Sequence, residues 1–149
     1  MKTQRAGGYL MAKIHQISGR IFAKKLKKYG ITEINPAQGR ILFALWRNNG
    51  LSIVELSKET ALSKSTLTSM LDRLENIGHV KRVHSEEDRR NILIYLTEKN
   101  IKLQDKYVEV SLDMIKLYYS GFSVEEIDLF EAFLDRILNN LESYSSTIL

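Results

Sequence analysis

Residues 51–97 read LSIVELSKETALSKSTLTSMLDRLENIGHVKRVHSEEDRRNILIYLT, and the changes of pattern within them decide the fold. Ser52 with Glu55 three residues on is a capping box, opening a short helix through about Thr60 with Ile53 and Leu56 on its inner face. Ala61 and Leu62 turn the chain. Ser63 then caps a second helix, whose Leu67, Met70, Leu71, Leu74 and Ile77 recur at helical spacing until Gly78 stops it. Two short helices joined by a three-residue turn match a helix-turn-helix unit. After Gly78 the pattern changes to apolar or β-branched runs, His79–Val83 and Asn91–Leu96, separated by the charged stretch from His84 to Arg90. This is a β-hairpin whose loop is too long for a tight turn, and loops of that length often carry function.

Outward from this stretch the spacing is helical. Pro36, with Asn35 as its cap, starts a helix that buries Ile41, Leu42, Leu45 and Trp46 and ends at Asn48, Asn49 and Gly50. Before it, Leu10, Ile14, Ile17 and Ile21, widened by Phe22 and Leu26, form a stripe that stops at Gly30. Beyond the hairpin, residues 98 to about 120 predict a long helix with Ile101, Val108, Leu112, Ile115 and Tyr119 on its apolar side, ending near Gly121. Ser123 and Glu126 cap a last helix in which Ile127, Phe130, Leu134, Ile137 and Leu141 form a seam for packing along another helix. The fold class is mostly α with a small β-hairpin, with no internal repeat and no low-complexity segment.

Composition narrows the function. A chain of 149 residues can bury roughly 70% of its unfolded surface, enough for a core without staples. With no cysteine it has no disulfide, thiolate metal site, thiol nucleophile or thiol redox sensor, and a reducing cytoplasm is the simplest compartment. No apolar run approaches the roughly 20 residues of a membrane span, and MKTQRAGG lacks the apolar region of a secretory signal, so no membrane association or export is expected. The net charge of +4 is unevenly spread: residues 1–30 hold eight bases and no acid, residues 31–98 nine of each, and residues 99–149 five bases and nine acids. Any nucleic-acid contact must therefore be local. The three histidines, His15, His79 and His84, have no spacing or carboxylate cluster that completes a metal site, so no metal and no cofactor are expected. No catalytic triad, paired catalytic carboxylates or phosphate-binding glycine loop is visible, and the chain reads as a non-enzyme.

Two places carry recognition chemistry. Opposite its apolar stripe, the helix after Ser63 presents Lys64, Ser65, Thr66, Thr68, Ser69, Asp72, Arg73 and Asn76. A major groove about 12 Å wide admits a helix whose leading side chains are small, and hydroxyls bond base edges or phosphates. An ordinary capped helix start accounts for the same residues. The hairpin loop ends in Asp88, Arg89 and Arg90; an arginine at such a tip can enter the minor groove, oriented by the aspartate. A solvated charged turn is the alternative, and the position immediately after a helix-turn-helix favours the groove. Lys24, Lys25, Lys27 and Lys28 form a basic face that solvation or flanking phosphates would explain.

The stretch INPAQGRILFALWRNNGLSIVELSKETALSKSTLTSMLDRLENIGHVKR, followed by DRRNILIYLTEKN, resembles the winged helix-turn-helix regulators of the MarR family. Asp88 and Arg90 match the family's Asp-x-Arg wing motif, with Leu96 and Thr97 following at the family's spacing, and LSKSTLTSMLDRLE is similar to its recognition helix. The resemblance is close over residues 31–100 and holds in outline for the flanking helices.

It implies a homodimer whose N- and C-terminal helices, residues 1–30 and 99–149, interlock. A DNA-binding domain over residues 31–98 would set two recognition helices in successive major grooves of a palindromic site. Ser63, Lys64, Ser65, Thr66, Thr68, Ser69 and Arg73 would then face double-stranded DNA, Arg90 with Arg89 would enter the minor groove, and Asp88 would stabilise the wing. Many relatives respond to a small aromatic or anionic effector in a cleft between the dimer helices and the DNA-binding lobe; here the candidates include His15, Tyr29, Trp46 and Tyr107, each of which ordinary packing would also explain. Others sense peroxide through a cysteine, a branch this sequence excludes. The expected function is a cytoplasmic, dimeric, sequence-specific transcription regulator, most often a repressor in this family; the alternative is a ligand-binding or protein-interaction module that keeps the fold without operator binding. The opposite charges of the two terminal arms would help them assemble.

Overall fold

The computed structural model describes residues 4–148; residues 1–3 and 149, at the extremes of the two expected helical arms and including Lys2 of the basic segment, lie outside the described residues. The elements run α1 (Gly7–Lys28), α2 (Pro36–Arg47), β1 (Leu51–Ser52), α3 (Ile53–Thr60), α4 (Lys64–Asn76), β2 (Val80–His84), β3 (Ile92–Leu96), α5 (Glu98–Tyr118) and α6 (Val124–Ile148). The chain is mostly helical, with a helix-turn-helix, α3–α4, running directly into a β-hairpin.

Side chains supply the starts of the central helices. At α2, Asn35 Oδ1 accepts from the Gln38 N–H at 2.8 Å while Gln38 Oε1 accepts from the Asn35 N–H at 3.1 Å. Ser52 with Glu55 at α3, and Ser123 with Glu126 at α6, form the same reciprocal pair. Ser63 Oγ caps α4 by accepting from the Thr66 N–H at 3.3 Å. Caps of this kind contribute about 1 kcal/mol each.

The turn between α3 and α4 has a different chemistry. Ala61 sits there at φ +57°, a left-handed conformation that costs a residue with a β-carbon about 1–2 kcal/mol. Glycine removes that strain at the expense of about 0.4–1 kcal/mol of unfolded-chain entropy. Ala61→Gly is therefore expected to raise stability by about 0.5–1 kcal/mol, a gain of roughly 1–4 °C in Tm for a chain of this size; an unchanged or lower Tm in a thermal scan would contradict the assignment of strain.

β2 and β3 pair antiparallel from Val80↔Leu96 to His84↔Ile92, and β1 adds to the other edge of β3 through Leu51↔Ile94. This third strand goes beyond the expected hairpin. Its register is held by neighbours of the helix end: Asn49 Oδ1 accepts from the Leu96 N–H at 2.9 Å and the Gly50 N–H donates to the Ile94 carbonyl at 3.0 Å. Gly50, at φ +85°, also leaves room for the Tyr95 ring, which a β-carbon would meet at 2.8 Å.

The core of the winged region is Ile41, Leu42 and Leu45 from α2, Leu56 from α3, Leu67, Leu71 and Leu74 from α4 and Ile94 from β3, all fully buried. One compact unit runs through Ser111; a second starts at Leu112 and holds the end of α5 and all of α6.

The expected apolar side of α5 is not the side it buries. Ile101, Val108, Leu112 and Ile115 are each exposed, and the inward residues are Asn100, Leu103, Tyr107 and Val110. Both sets repeat at helical spacing, so hydropathy alone does not choose between them. Tyr107 shows what does. Its ring sits edge-on to Phe22 and Trp46, with centroids at 5.5 and 4.8 Å, and its hydroxyl packs onto Gly39, where any β-carbon would collide with it. Burial pushes the Tyr107 phenol far above its ordinary range, so it stays neutral.

Candidate nucleic-acid interface

α4 is divided cleanly by its own periodicity. Leu67, Leu71 and Leu74 are buried, while Ser63, Lys64, Ser65, Thr66, Thr68, Ser69 and Arg73 are all exposed. Each residue expected on the recognition face is thus accessible, outside the stripe that α4 buries. Ser63 differs from the others because its hydroxyl also donates to Thr66 Oγ1 at 3.0 Å while capping the helix, so its first task is structural. Arg73 stands further along and lines a groove of about 330 Å³ with Lys27 of α1 and Thr32 and Asn35 of the following loop.

The α4 helix is tied to the hairpin by a residue that hydropathy could not reveal. Arg82 of β2 donates to Asp72 Oδ1 at 2.7 Å and to Glu75 Oε1 at 3.2 Å. Asp72 and Glu75 are therefore engaged with the wing strand, and the two recognition elements are braced against one another by a two-carboxylate, one-guanidinium cluster. Exposed pairs contribute little individually, but a shared arginine fixes geometry.

At the hairpin tip, Asp88 holds Arg90 with three hydrogen bonds. Its Oδ1 accepts from the Arg90 backbone N–H and from Nε, both at 3.1 Å, and its Oδ2 accepts from Nη2 at 3.3 Å. The arginine side chain is nonetheless 90% exposed. It is oriented without being buried. The Arg90 side chain, and then its backbone N–H, hold the Asp88 carboxyl below the usual aspartate range. A lowered folded-state value means that the brace is complete at neutral pH and is lost only as acid titrates the carboxylate through that value. His84 adds a second restraint, its Nδ1–H donating to the Arg89 carbonyl at 2.8 Å. Arg89 is exposed beside Arg90.

The chain is similar to proteins already known. The MarR family model matches residues 34–92. The organic hydroperoxide resistance transcriptional regulator of Bacillus subtilis is 34% identical over 100 residues, covering 67% of each chain. The chain belongs to the MarR family. The HTH-type transcriptional regulator TtmR of Methylorubrum extorquens is 33% identical over 105 residues, 70% of this chain; the match spans about half (51%) of TtmR's own length. Among solved structures, a mutant of E. coli MarR in complex with operator DNA is 26% identical with a TM-score of 0.78, over 88% of this chain and 92% of that one.

For a MarR-family chain the four effector candidates fall in two groups. Trp46 and Tyr107 meet in the aromatic cluster with Phe22, and Trp46 spends its indole N–H on Asn100 at 2.7 Å. Tyr29 is half-buried at the end of α1 and packs against the core, and His15 is exposed on α1. Three of the four, Tyr29, Trp46 and Tyr107, thus pack against the core, and His15 lies on the surface. Among the described residues there is no group of three His, Asp or Glu able to hold a metal, and no helix long and apolar enough to cross a membrane.

Proposed function

We propose that this MarR-family chain is a DNA-binding transcription regulator, acting as a homodimer that represses from a palindromic operator. The observation that carries the reading is the pairing of two surfaces: an α4 face of exposed hydroxyls with Lys64, and an exposed Arg90 aimed by Asp88 at the tip of the adjoining hairpin. The first has the size and chemistry of a major-groove reader, the second of a minor-groove probe. Residues 31–98 form the DNA-binding part, and residues 1–30 and 99–149 the dimerisation part. In support of the dimer, Leu10, Ile14 and Ile17 of α1, Leu112 and Ile115 of α5, and Phe130, Leu134, Ile137 and Leu141 of α6 are exposed, far more apolar side chain than a solitary chain ordinarily leaves in water.

A small aromatic or anionic effector that releases the dimer from DNA completes the reading, and the cytoplasm is its compartment. Whatever answer to hydroperoxides the Bacillus relative gives, this chain cannot give one through a thiol, because it has no cysteine. No enzymatic step is part of the proposal. Selection of duplexes from a random pool tests it. The expected product is an inverted repeat with half-site centres about one helical turn, roughly 10 base pairs, or a multiple apart. A pool that never enriches would point instead to a ligand-binding or protein-interaction module on the same fold.

A further inference from the structure

His79 is the first residue after the glycine that ends α4, and it is 2% exposed. A buried imidazole needs partners for both nitrogens, and here the partners also fix where its proton lies. The Trp46 indole N–H, which can only donate, bonds Asn100 Oδ1 at 2.7 Å. That turns the Asn100 Nδ2 toward His79 Nδ1, 3.1 Å away. An amide nitrogen also only donates, so Nδ1 is the acceptor and carries no proton. The ring proton is then on Nε2, donated to Glu33 Oε2 at 3.1 Å. Glu33 Oε2 is also paired with Lys99 Nζ at 3.0 Å, and Lys99 Nζ donates to the Ile77 carbonyl at the end of α4 at 2.7 Å.

This chain of bonds joins four pieces of backbone. Trp46 is in the last turn of α2, Glu33 in the loop before α2, Lys99 and Asn100 in the first turn of α5, and His79 at the corner where α4 becomes β2. The corner's own backbone adds to it: the His79 N–H donates to the Leu74 carbonyl at 2.8 Å, and Thr97 Oγ1 donates to the Gly78 carbonyl at 2.5 Å. Asn100 is fully buried, and neither of its polar atoms is spare.

We propose that Asn100 and Trp46 are positioning residues for α4: by holding His79 as its Nε2–H tautomer, they fix the α4–β2 corner in the geometry that DNA binding requires. The inference rests on the DNA-binding reading above. It has a chemical signature that simple packing lacks. A second proton on His79 must go on Nδ1, where it would face the Asn100 N–H, donor against donor. Turning the amide over would relieve that clash and create the same one against the Trp46 N–H. No orientation of Asn100 satisfies all three groups once the imidazole is charged, and a buried unmatched donor is costly. The charged groups facing His79 are Glu33 from the α1–α2 loop and, through it, Lys99 from α5. The bonds from Lys99 first, and then from His79, hold the Glu33 carboxyl below its ordinary range, so it is an acceptor at neutral pH.

The test compares the wild type with Asn100→Asp, using the selected duplex and a scrambled one between pH 8 and 5.5, together with the nitrogen-15 spectrum of the His79 ring. In the wild type the ring is expected as the Nε2–H tautomer at pH 8, and wherever the same spectrum reports a charged ring, specific affinity is expected to be about tenfold lower, beyond any change in binding to scrambled DNA. The introduced carboxylate would accept from both Trp46 and a charged imidazole, so the variant's affinity should instead rise as pH falls. An Nδ1–H tautomer, or two pH profiles of the same slope, would overturn the proposal. A wild type that shows the Nε2–H tautomer but binds no duplex specifically at any pH would overturn it by a different route, through failure of the DNA-binding reading itself.

Discussion

Leu134→Asp is expected to convert the proposed homodimer to monomer at micromolar concentration. Leu134 lies in the α6 stripe with Phe130, Ile137 and Leu141, all exposed in the single chain. In a twofold dimer each substitution occurs twice, and an unpaired carboxylate taken out of water costs several kcal/mol. Even about 3 kcal/mol in total would weaken association by roughly 150-fold. Leu134→Met, which keeps volume and apolarity, should leave the assembly intact. Sedimentation velocity separates the two results. A full dimer of Leu134→Asp at wild-type concentrations would mean that this stripe does not hold the partner.

Arg90→Ala is expected to weaken operator binding by about 1–3 kcal/mol, the range for losing one specific arginine contact, while the dimer persists. Each wing is lost in a dimer, so the measured effect should lie at the upper end of that range. Asp88→Asn gives the complementary result. The amide oxygen can still accept from the Arg90 N–H, but the charged grip on the guanidinium is gone; a smaller loss is expected, because the arginine remains but must be ordered on binding. Titrations with a fluorescent duplex would measure both. Unchanged affinity in Arg90→Ala would mean that the wing does not reach DNA, whatever α4 does.

Much of the fold was legible because its local signals are chemical and short-ranged. Ser52 with Glu55, Ser63, and Ser123 with Glu126 announce helix starts through hydrogen bonds that close within three residues, and Gly78 announces a stop through a backbone conformation that only glycine adopts without strain. The winged region could be read for that reason. β1 could not, since two residues have no alternation, and its pairing depends on Ile94 more than forty residues away. α5 is apolar on two faces; which of them packs within the chain is decided by the space above Gly39 and by partners for Asn100, neither of which is a property of α5 alone.

The same distinction runs through the site. The hydroxyl face of α4 and the Asp88–Arg90 pair are contiguous in sequence and could be named from it. Arg82, which braces the wing against Asp72 and Glu75, looked like one more charge in a strand. His79 and Asn100 were less visible still. Buried polar residues have no periodic signature, and their meaning appears only when Trp46 and Glu33 are brought alongside.

On the function proposed above, this chain recognises a DNA sequence through a few placed cations in a region of no net charge. The most direct measurement is the affinity for the selected duplex and for a scrambled duplex across a range of salt concentrations. Specific binding is expected to be at least about a thousandfold tighter than binding to the scrambled duplex, with both constants falling steeply as salt rises. Equal affinity for the two duplexes at every salt concentration would contradict it.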